Sequence, residues 1–152
     1  MAQEASRRVL VIEDDANIRN NIMLMLKVEH YTVSGAENGR VGLEMARSAP
    51  PDLILCDIMM PELDGFEVLE ALRAEPHLAD VPFVFLTALD DRSSMRRGMN
   101  LGADDYLAKP FTRDELLEAV SSRLKKHEAL TQALMARLVP QQDRLTEKFR
   151  DN

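Results

Sequence analysis

The sequence has few of the residues that would staple a fold together. Its 152 residues include one cysteine, Cys56, so no internal disulfide can form, and a lone thiol fits a reducing compartment. Tryptophan is absent and aromatics are only 5% of residues, so aliphatic side chains and methionine must fill the core. No apolar run approaches the ~20 residues that span a bilayer. The polar start, Met1 to Arg8, lacks the apolar centre of a signal peptide. A formal net charge of −7 argues against a sequence-independent grip on nucleic acid, which relies on clustered Lys and Arg. These absences predict a soluble, cytoplasmic protein with no membrane contact and no direct nucleic-acid contact.

What is present is an ordinary globular composition, 45% hydrophobic and 30% charged. The length suits one domain with a short appendage, large enough to bury its own core without staples. Short apolar runs alternate five times with amphipathic stretches. Val9–Ile12 and Leu53–Cys56 read as strands buried on both faces of a parallel sheet. Tyr31–Val33 is a weaker second strand, Phe83–Leu86 a fourth opened by Pro82, and Tyr106–Ala108 a short fifth. Between them, Ile18, Ile22, Met25 and Leu26 recur at helical spacing, as do Val41 and Met45 before Pro50-Pro51. Phe66, Val68, Leu69 and Leu72 mark a third helix. A fourth helix, from about Asp91 to Leu101, should end at Gly102, and a fifth should begin at Thr112 with Glu115 three residues on. Five βα units predict a doubly wound parallel sheet with helices on both faces, whose ligands bind beyond the carboxyl ends of the strands.

Four of those strand ends carry polar groups: Glu13-Asp14, Asp57, Thr87 and Lys109. In the strand order 2-1-3-4-5 they would converge, because strand two lies at an edge. Three carboxylates crowded together repel, and the remedies are a shared proton or a cation. An all-oxygen donor set with no Cys or His suits a hard ion such as Mg²⁺. With Lys109 as a point charge and Thr87 as a hydroxyl donor, the set describes a carboxylate that accepts a phosphoryl group.

The motifs Val-Ile-Glu13-Asp14-Asp15 with Arg19, Asp57-Ile-Met-Met-Pro61 with Asp64-Gly65, Thr87-Ala88, and Tyr106-Leu-Ala-Lys109-Pro110 resemble the receiver domains of two-component response regulators. The resemblance covers about residues 7 to 126. It implies a flavodoxin-like (βα)5 fold of the chemotaxis-regulator kind, with strand order 2-1-3-4-5. It further implies that Asp57 is phosphorylated by a sensor histidine kinase or a phosphotransfer protein. Asp14, Asp57 and the Met59 backbone carbonyl would hold Mg²⁺ directly, and Glu13 would act mainly through water. Lys109 would hold the phosphoryl group, Thr87 would move toward it, and Tyr106 would turn inward. By the same resemblance the Lys109-Pro110 bond is cis. Asp15 is expected to be a surface residue. Met59 and Leu89, both apolar, resemble the family's positions that flank the phosphoryl group, and there they should prolong its lifetime.

A dehalogenase-type phosphatase would need an acid two residues after Asp57, where Met59 stands. A nucleotide or flavin site would need a glycine-rich loop after strand one, where Glu13-Asp14-Asp15 stands. The expectation is therefore a signalling domain rather than an enzyme. Thr87 alone could be a helix cap and Lys109 a surface charge; Tyr106 could be partly buried packing. Cys56 should be a small buried hydrophobe, and His30, His77 and His127 should lie at the surface.

Residues 127–152 read as a helical extension. Leu124, Leu130, Leu134 and Leu138 line one side, not sustained over three heptads, and Pro140 is expected to break the helix. From Glu128 onward there are four acidic and four basic residues. This neutral arm is a candidate for homodimerisation, or a linker if the chain is the N-terminal regulatory part of a longer regulator.

Overall fold

A computed structural model describes residues 6–88 and 91–150, with residues 139–150 as backbone only. Five strands, β1 (Arg8–Ile12), β2 (Thr32–Ala36), β3 (Leu53–Asp57), β4 (Phe83–Ala88) and β5 (Asp105–Lys109), alternate with five helices. These are α1 (Ala16–Val28), α2 (Gly39–Ser48), α3 (Gly65–Arg73), α4 (Arg92–Asn100) and α5 (Arg113–Arg150). The strands form one parallel sheet in the order β2-β1-β3-β4-β5.

The period of two along each strand divides the core into two layers. Leu10, Ile12, Ile54, Cys56, Phe83 and Phe85 face α2, α3 and α4, where Phe85 packs edge-on against Phe66 and Phe83. Val9, Val11, Leu53, Leu55, Val84 and Leu86 face α1 and α5, meeting Ile22, Leu26, Leu116, Val120 and Leu124. Each such aliphatic side chain, fully buried, contributes roughly 1.5–3 kcal/mol.

The helix boundaries have local causes. Asp64 and Glu67 form a reciprocal capping box at α3, and Thr112 with Glu115 forms another at α5, at 3.1 Å in each direction. Gly102 follows α4 at φ +104°, a conformation that glycine adopts without a steric penalty. Arg73 ties the far end of α3 to two loops, donating to the Ala79, Val81 and Gly102 carbonyls at 2.8–2.9 Å.

Two expectations are corrected. The second strand runs Thr32–Ala36 rather than Tyr31–Val33. Its register against β1, from Arg8↔Thr32 to Ile12↔Ala36, carries it through Ser34 and Gly35, which have no apolar signature. Pro140 does not end the last helix, which continues to Arg150. Proline's fixed φ is helical, so the cost is the bond to the Ala136 carbonyl and local crowding, about 3 kcal/mol.

Candidate functional site

The carboxyl ends of β1, β3, β4 and β5 bring the expected groups together. Glu13 follows β1 by one residue, and its N–H still bonds the Ala36 carbonyl at 3.0 Å. The ladder therefore holds Glu13 inside while the chain turns outward at Asp14. Arg19 on α1 fixes that turn by donating to the Glu13 carbonyl at 2.7 Å. Asp15, exposed as expected, has a structural role: its side chain accepts from the Asn17 and Ile18 N–H groups at 2.9 and 3.1 Å and caps α1.

Asp57 ends β3 and is buried. The next turn is drawn tight by the Gly65 N–H, which donates to the Ile58 carbonyl at 2.9 Å. A Cβ on Gly65 would run into the Asp57 carbonyl oxygen, so only glycine lets α3 start this close to the acidic strand end.

One carboxylate oxygen from each of Glu13, Asp14 and Asp57 lies within 4.8 Å of the others. Lys109, at the end of β5, reaches across the sheet to Glu13 Oε1 at 2.7 Å and Asp57 Oδ2 at 3.4 Å. Thr87, at the end of β4, is buried and shares with Asp57, Lys109 and Met59 a cavity of about 660 Å³. Ile18 and Ile22 of α1 and Phe111 after β5 give this cavity an apolar wall.

The electrostatics favour a cation. Three carboxylates and one ammonium carry a formal charge of −2. At separations of 4.8 Å or less each like-charged pair repels by at least about 3.5 kcal/mol for an effective dielectric constant of about 20. Burial, with the neighbouring Asp57, pushes the Glu13 carboxyl above its ordinary value. Desolvation and Glu13 raise that of Asp14. Burial alone would lower the Lys109 value, but its bond to Glu13 and the charge of Asp57 outweigh it and hold the ammonium above its usual range.

Glu13 Oε2 is buried without a hydrogen-bond partner. Such an atom costs about 1–3 kcal/mol or more unless something outside the protein's own groups satisfies it. It belongs to the same three-carboxylate cluster, and oxygen donors are what a hard divalent ion takes. The residues present therefore fit such an ion.

Tyr106 lies apart from these groups. It is 41% exposed on the outer side of β5, beside Arg92, Met95, Arg96 and Met99 of α4. Met59 is also exposed, at 75%, and its expected companion Leu89 lies outside the described residues. Thr87 does not cap α4; Asp91 does, accepting from the Ser94 N–H at 3.2 Å. Cys56 is fully buried, and burial raises its thiol well above the ordinary value. The Lys109-Pro110 peptide is cis. No helix among the described residues is long and apolar enough to cross a membrane.

Residues 9–121 match the family model of the response regulator receiver domain. Among curated relatives, the DNA-binding dual master transcriptional regulator RpaA of Synechocystis sp. is 39% identical over 126 residues, covering 83% of this chain and 52% of RpaA. Response regulator MprA of Mycobacterium ulcerans is 42% identical over 121 residues, covering 80% of this chain and 51% of that protein. This chain thus spans about half the length of the curated relatives it matches. Among solved structures, a putative response regulator from Chloroflexus aurantiacus superposes with a TM-score of 0.77 at 32% identity, covering 80% of this chain and 99% of that one. The chemotaxis response regulator CheY4 of Vibrio cholerae gives 0.75 at 30% identity, covering 78% and 99%.

Proposed function

Because this chain belongs to the response regulator receiver domain family, we propose that Asp57 is its phosphoacceptor and that the surrounding strand ends form the phosphoryl-transfer site. The observation that carries this reading is the position of Lys109 Nζ, 2.7 Å from Glu13 and 3.4 Å from Asp57, beside a buried carboxylate oxygen with no partner. An Asp57 oxygen attacks the phosphorus of a phosphohistidine donor. The new O–P bond forms as the P–N bond breaks, and the imidazole nitrogen leaves with the electron pair. Lys109 is within reach of Asp57 and takes a phosphoryl oxygen.

Mg²⁺ would be held by Asp14, Asp57 and the Met59 carbonyl, with Glu13 acting through water. When bound it neutralises charge on the phosphoryl oxygens and orients them for in-line attack. Thr87, buried beside Asp57 in the same cavity, turns its hydroxyl to the phosphoryl group. The half-exposed Tyr106 then moves inward over the space that Thr87 vacates. The domain is thus a switch that catalyses only its own modification. It acts in the cytoplasm downstream of a sensor histidine kinase or phosphotransfer protein. Residues 7–126 form the receiver, and 127–152 an arm through which two copies associate.

The test is incubation with a small phosphodonor and Mg²⁺, followed by mass measurement of the intact protein. The wild type should gain one phosphoryl group and Asp57→Ala none. Equal phosphorylation of both would remove Asp57 from its role.

A further inference from the structure

Of the three acids that meet at the strand ends, Asp14 has the least to hold it. Glu13 and Asp57 are buried, whereas Asp14 is exposed. It lies one residue past the last ladder bond, from the Glu13 N–H to the Ala36 carbonyl at 3.0 Å. Yet one of its carboxylate oxygens stays within 4.8 Å of one from each of the other two acids. Like-charge repulsion would drive an exposed side chain away from them. The backbone must therefore set its place.

Arg19 controls that backbone from both sides. Its N–H donates to the Asp15 carbonyl at 2.9 Å in the first turn of α1. Its Nη1 reaches back and donates to the Glu13 carbonyl at 2.7 Å. One residue thus ties down the neighbours of Asp14 before and after it. The peptide group between Glu13 and Asp14 is planar, so fixing its carbonyl fixes the direction in which the chain enters Asp14. That carbonyl lies past the end of the ladder, since the register of β1 stops at Ile12↔Ala36 on one side and Ile12↔Cys56 on the other. A short bond from a charged donor takes the place of a strand partner. On the far side, Asp15 is held as the α1 cap by the Asn17 and Ile18 N–H groups.

The route of the arginine stem is built into the edge strand. Arg19 and Met23, one turn apart on α1, both lie against Gly35, which pairs with Val11. A Cβ at residue 35 would stand 3.2 Å from Arg19 Cδ and 2.6 Å from Met23 Sδ. Glycine inside a strand often marks such a close approach. Here it leaves the room through which Arg19 reaches the acidic turn.

We infer that Arg19 is a positioning residue for the cation: through the Glu13 carbonyl it holds Asp14 where its carboxylate joins that of Asp57 in binding Mg²⁺. This deepens the reading of the carboxylate cluster as a cation site and rests on it, but not on phosphorylation of Asp57. The sign of the effect separates positioning from plain electrostatics. A guanidinium near a cation site repels the cation, so loss of its charge alone would tighten Mg²⁺ binding. Loss of the strap loosens it. Groups that orient metal ligands from outside are worth roughly 10–100-fold in affinity.

The test is a Mg²⁺ titration of the full chain without phosphodonor, followed by amide chemical shifts in two-dimensional NMR spectra. Arg19→Met keeps an unbranched stem beside Gly35 and removes both donor and charge. It should raise the Mg²⁺ dissociation constant by about tenfold or more, with an unchanged far-UV circular dichroism spectrum. Before Mg²⁺ is added, its spectrum should differ from the wild type most at the Asp14 amide, which shares a peptide group with the Glu13 carbonyl. In an Asp14→Ala background the held carboxylate is gone, and Arg19→Met should then leave the constant within about twofold or lower it. An Arg19→Met protein that binds Mg²⁺ as tightly as the wild type, or more tightly, would overturn the inference. So would an undiminished loss in the Asp14→Ala background, because the effect would not pass through Asp14. A wild type whose amides ignore Mg²⁺ would overturn the cation site and the role of Arg19 together. Failure of Asp57 to take a phosphoryl group would alter none of these outcomes, since no donor is present.

Discussion

Removing Lys109 exposes how the site is balanced. Its ammonium is the one cation among the described residues that contacts both Glu13 and Asp57, at 2.7 and 3.4 Å. Glu13 is wholly buried, so in Lys109→Ala its charge cannot be returned to water without unfolding. Removing one partner of a buried pair costs about 3–5 kcal/mol, but protonation sets a ceiling. Placing a proton at pH 7 on a glutamate whose unfolded value is near 4.3 costs about 3.7 kcal/mol; at pH 5 the same step costs about 1 kcal/mol. The direction follows from the folded-state shift. Burial and Asp57 already raise the Glu13 carboxyl, and loss of Lys109 raises it further. Such a group contributes stability that is fully present below its unfolded value and is lost as pH rises through the folded one. Lys109→Ala should therefore lose at most about 1 kcal/mol at pH 5, and more, up to about 4 kcal/mol, at pH 7 to 7.5. In a chain of this size the larger loss corresponds to a melting temperature lower by up to roughly 16 °C. Millimolar Mg²⁺ should recover part of the loss. Thermal melts of both proteins from pH 5 to 7.5, with and without Mg²⁺, provide the measurement. Parallel pH profiles and no response to Mg²⁺ would refute the claim that Lys109 compensates the carboxylate cluster.

Gly65→Ala forces a Cβ against the Asp57 carbonyl and to within 2.9 Å of Ile58 Cα, both backbone atoms. It should cost about 1–3 kcal/mol in urea unfolding, and an unchanged midpoint would mean the turn relaxes freely. Met59→Asn replaces an exposed apolar neighbour of Asp57 with a group that can orient water. It should speed phosphate release after donor removal by roughly tenfold, about 1.4 kcal/mol in barrier; a rate equal to wild type would count against Met59 as a water barrier. With no tryptophan and two tyrosines, intrinsic fluorescence reports Tyr106 over a Tyr31 background. Phosphodonor and Mg²⁺ should change that emission in the wild type but not in Thr87→Ala, although both proteins accept a phosphoryl group. The same emission change in Thr87→Ala would uncouple the two residues.

The sequence made most of the fold legible where a strand is buried on both faces. Val9–Ile12 and Leu53–Cys56 carry continuous apolar runs because helices cover both sides, and the structure extends each by a single residue. The edge strand β2 was legible only in part, since its placement comes from hydrogen bonding to β1 and not from its side chains. At the site, each charged residue was legible because it ends a strand or lies within two residues of its end. The difference among Glu13, Asp14 and Asp15 was not. Three consecutive acids look alike in sequence, yet one is buried, one joins the cluster from an exposed position, and one caps a helix. The cause is the last ladder bond, from Glu13 N–H to Ala36, which no composition or period encodes. Proline at 140 misled for a related reason: its penalty is local, and the helix around it continues.

If Asp57 is the phosphoacceptor, as proposed, that hidden difference decides how it is prepared. Lys109 lies closer to Glu13 than to Asp57, 2.7 against 3.4 Å, so its shorter bond goes to a residue that is not the proposed acceptor. An ammonium bound tightly to Asp57 would occupy the lone pair needed for attack and weaken the nucleophile. Held by the buried Glu13, the same ammonium stands within reach of the incoming phosphoryl oxygens and keeps only a longer contact, 3.4 Å, with the Asp57 carboxylate. Glu13 is in this sense a positioning residue for Lys109. Glu13→Gln, which keeps the shape and removes the charge, should lower the ammonium's raised value as one of the charges that raise it is lost. The phosphorylation rate of Glu13→Gln should then fall on the alkaline side before that of the wild type. Superimposable pH–rate profiles for the two proteins would show that Glu13 does not hold the lysine in place for the reaction.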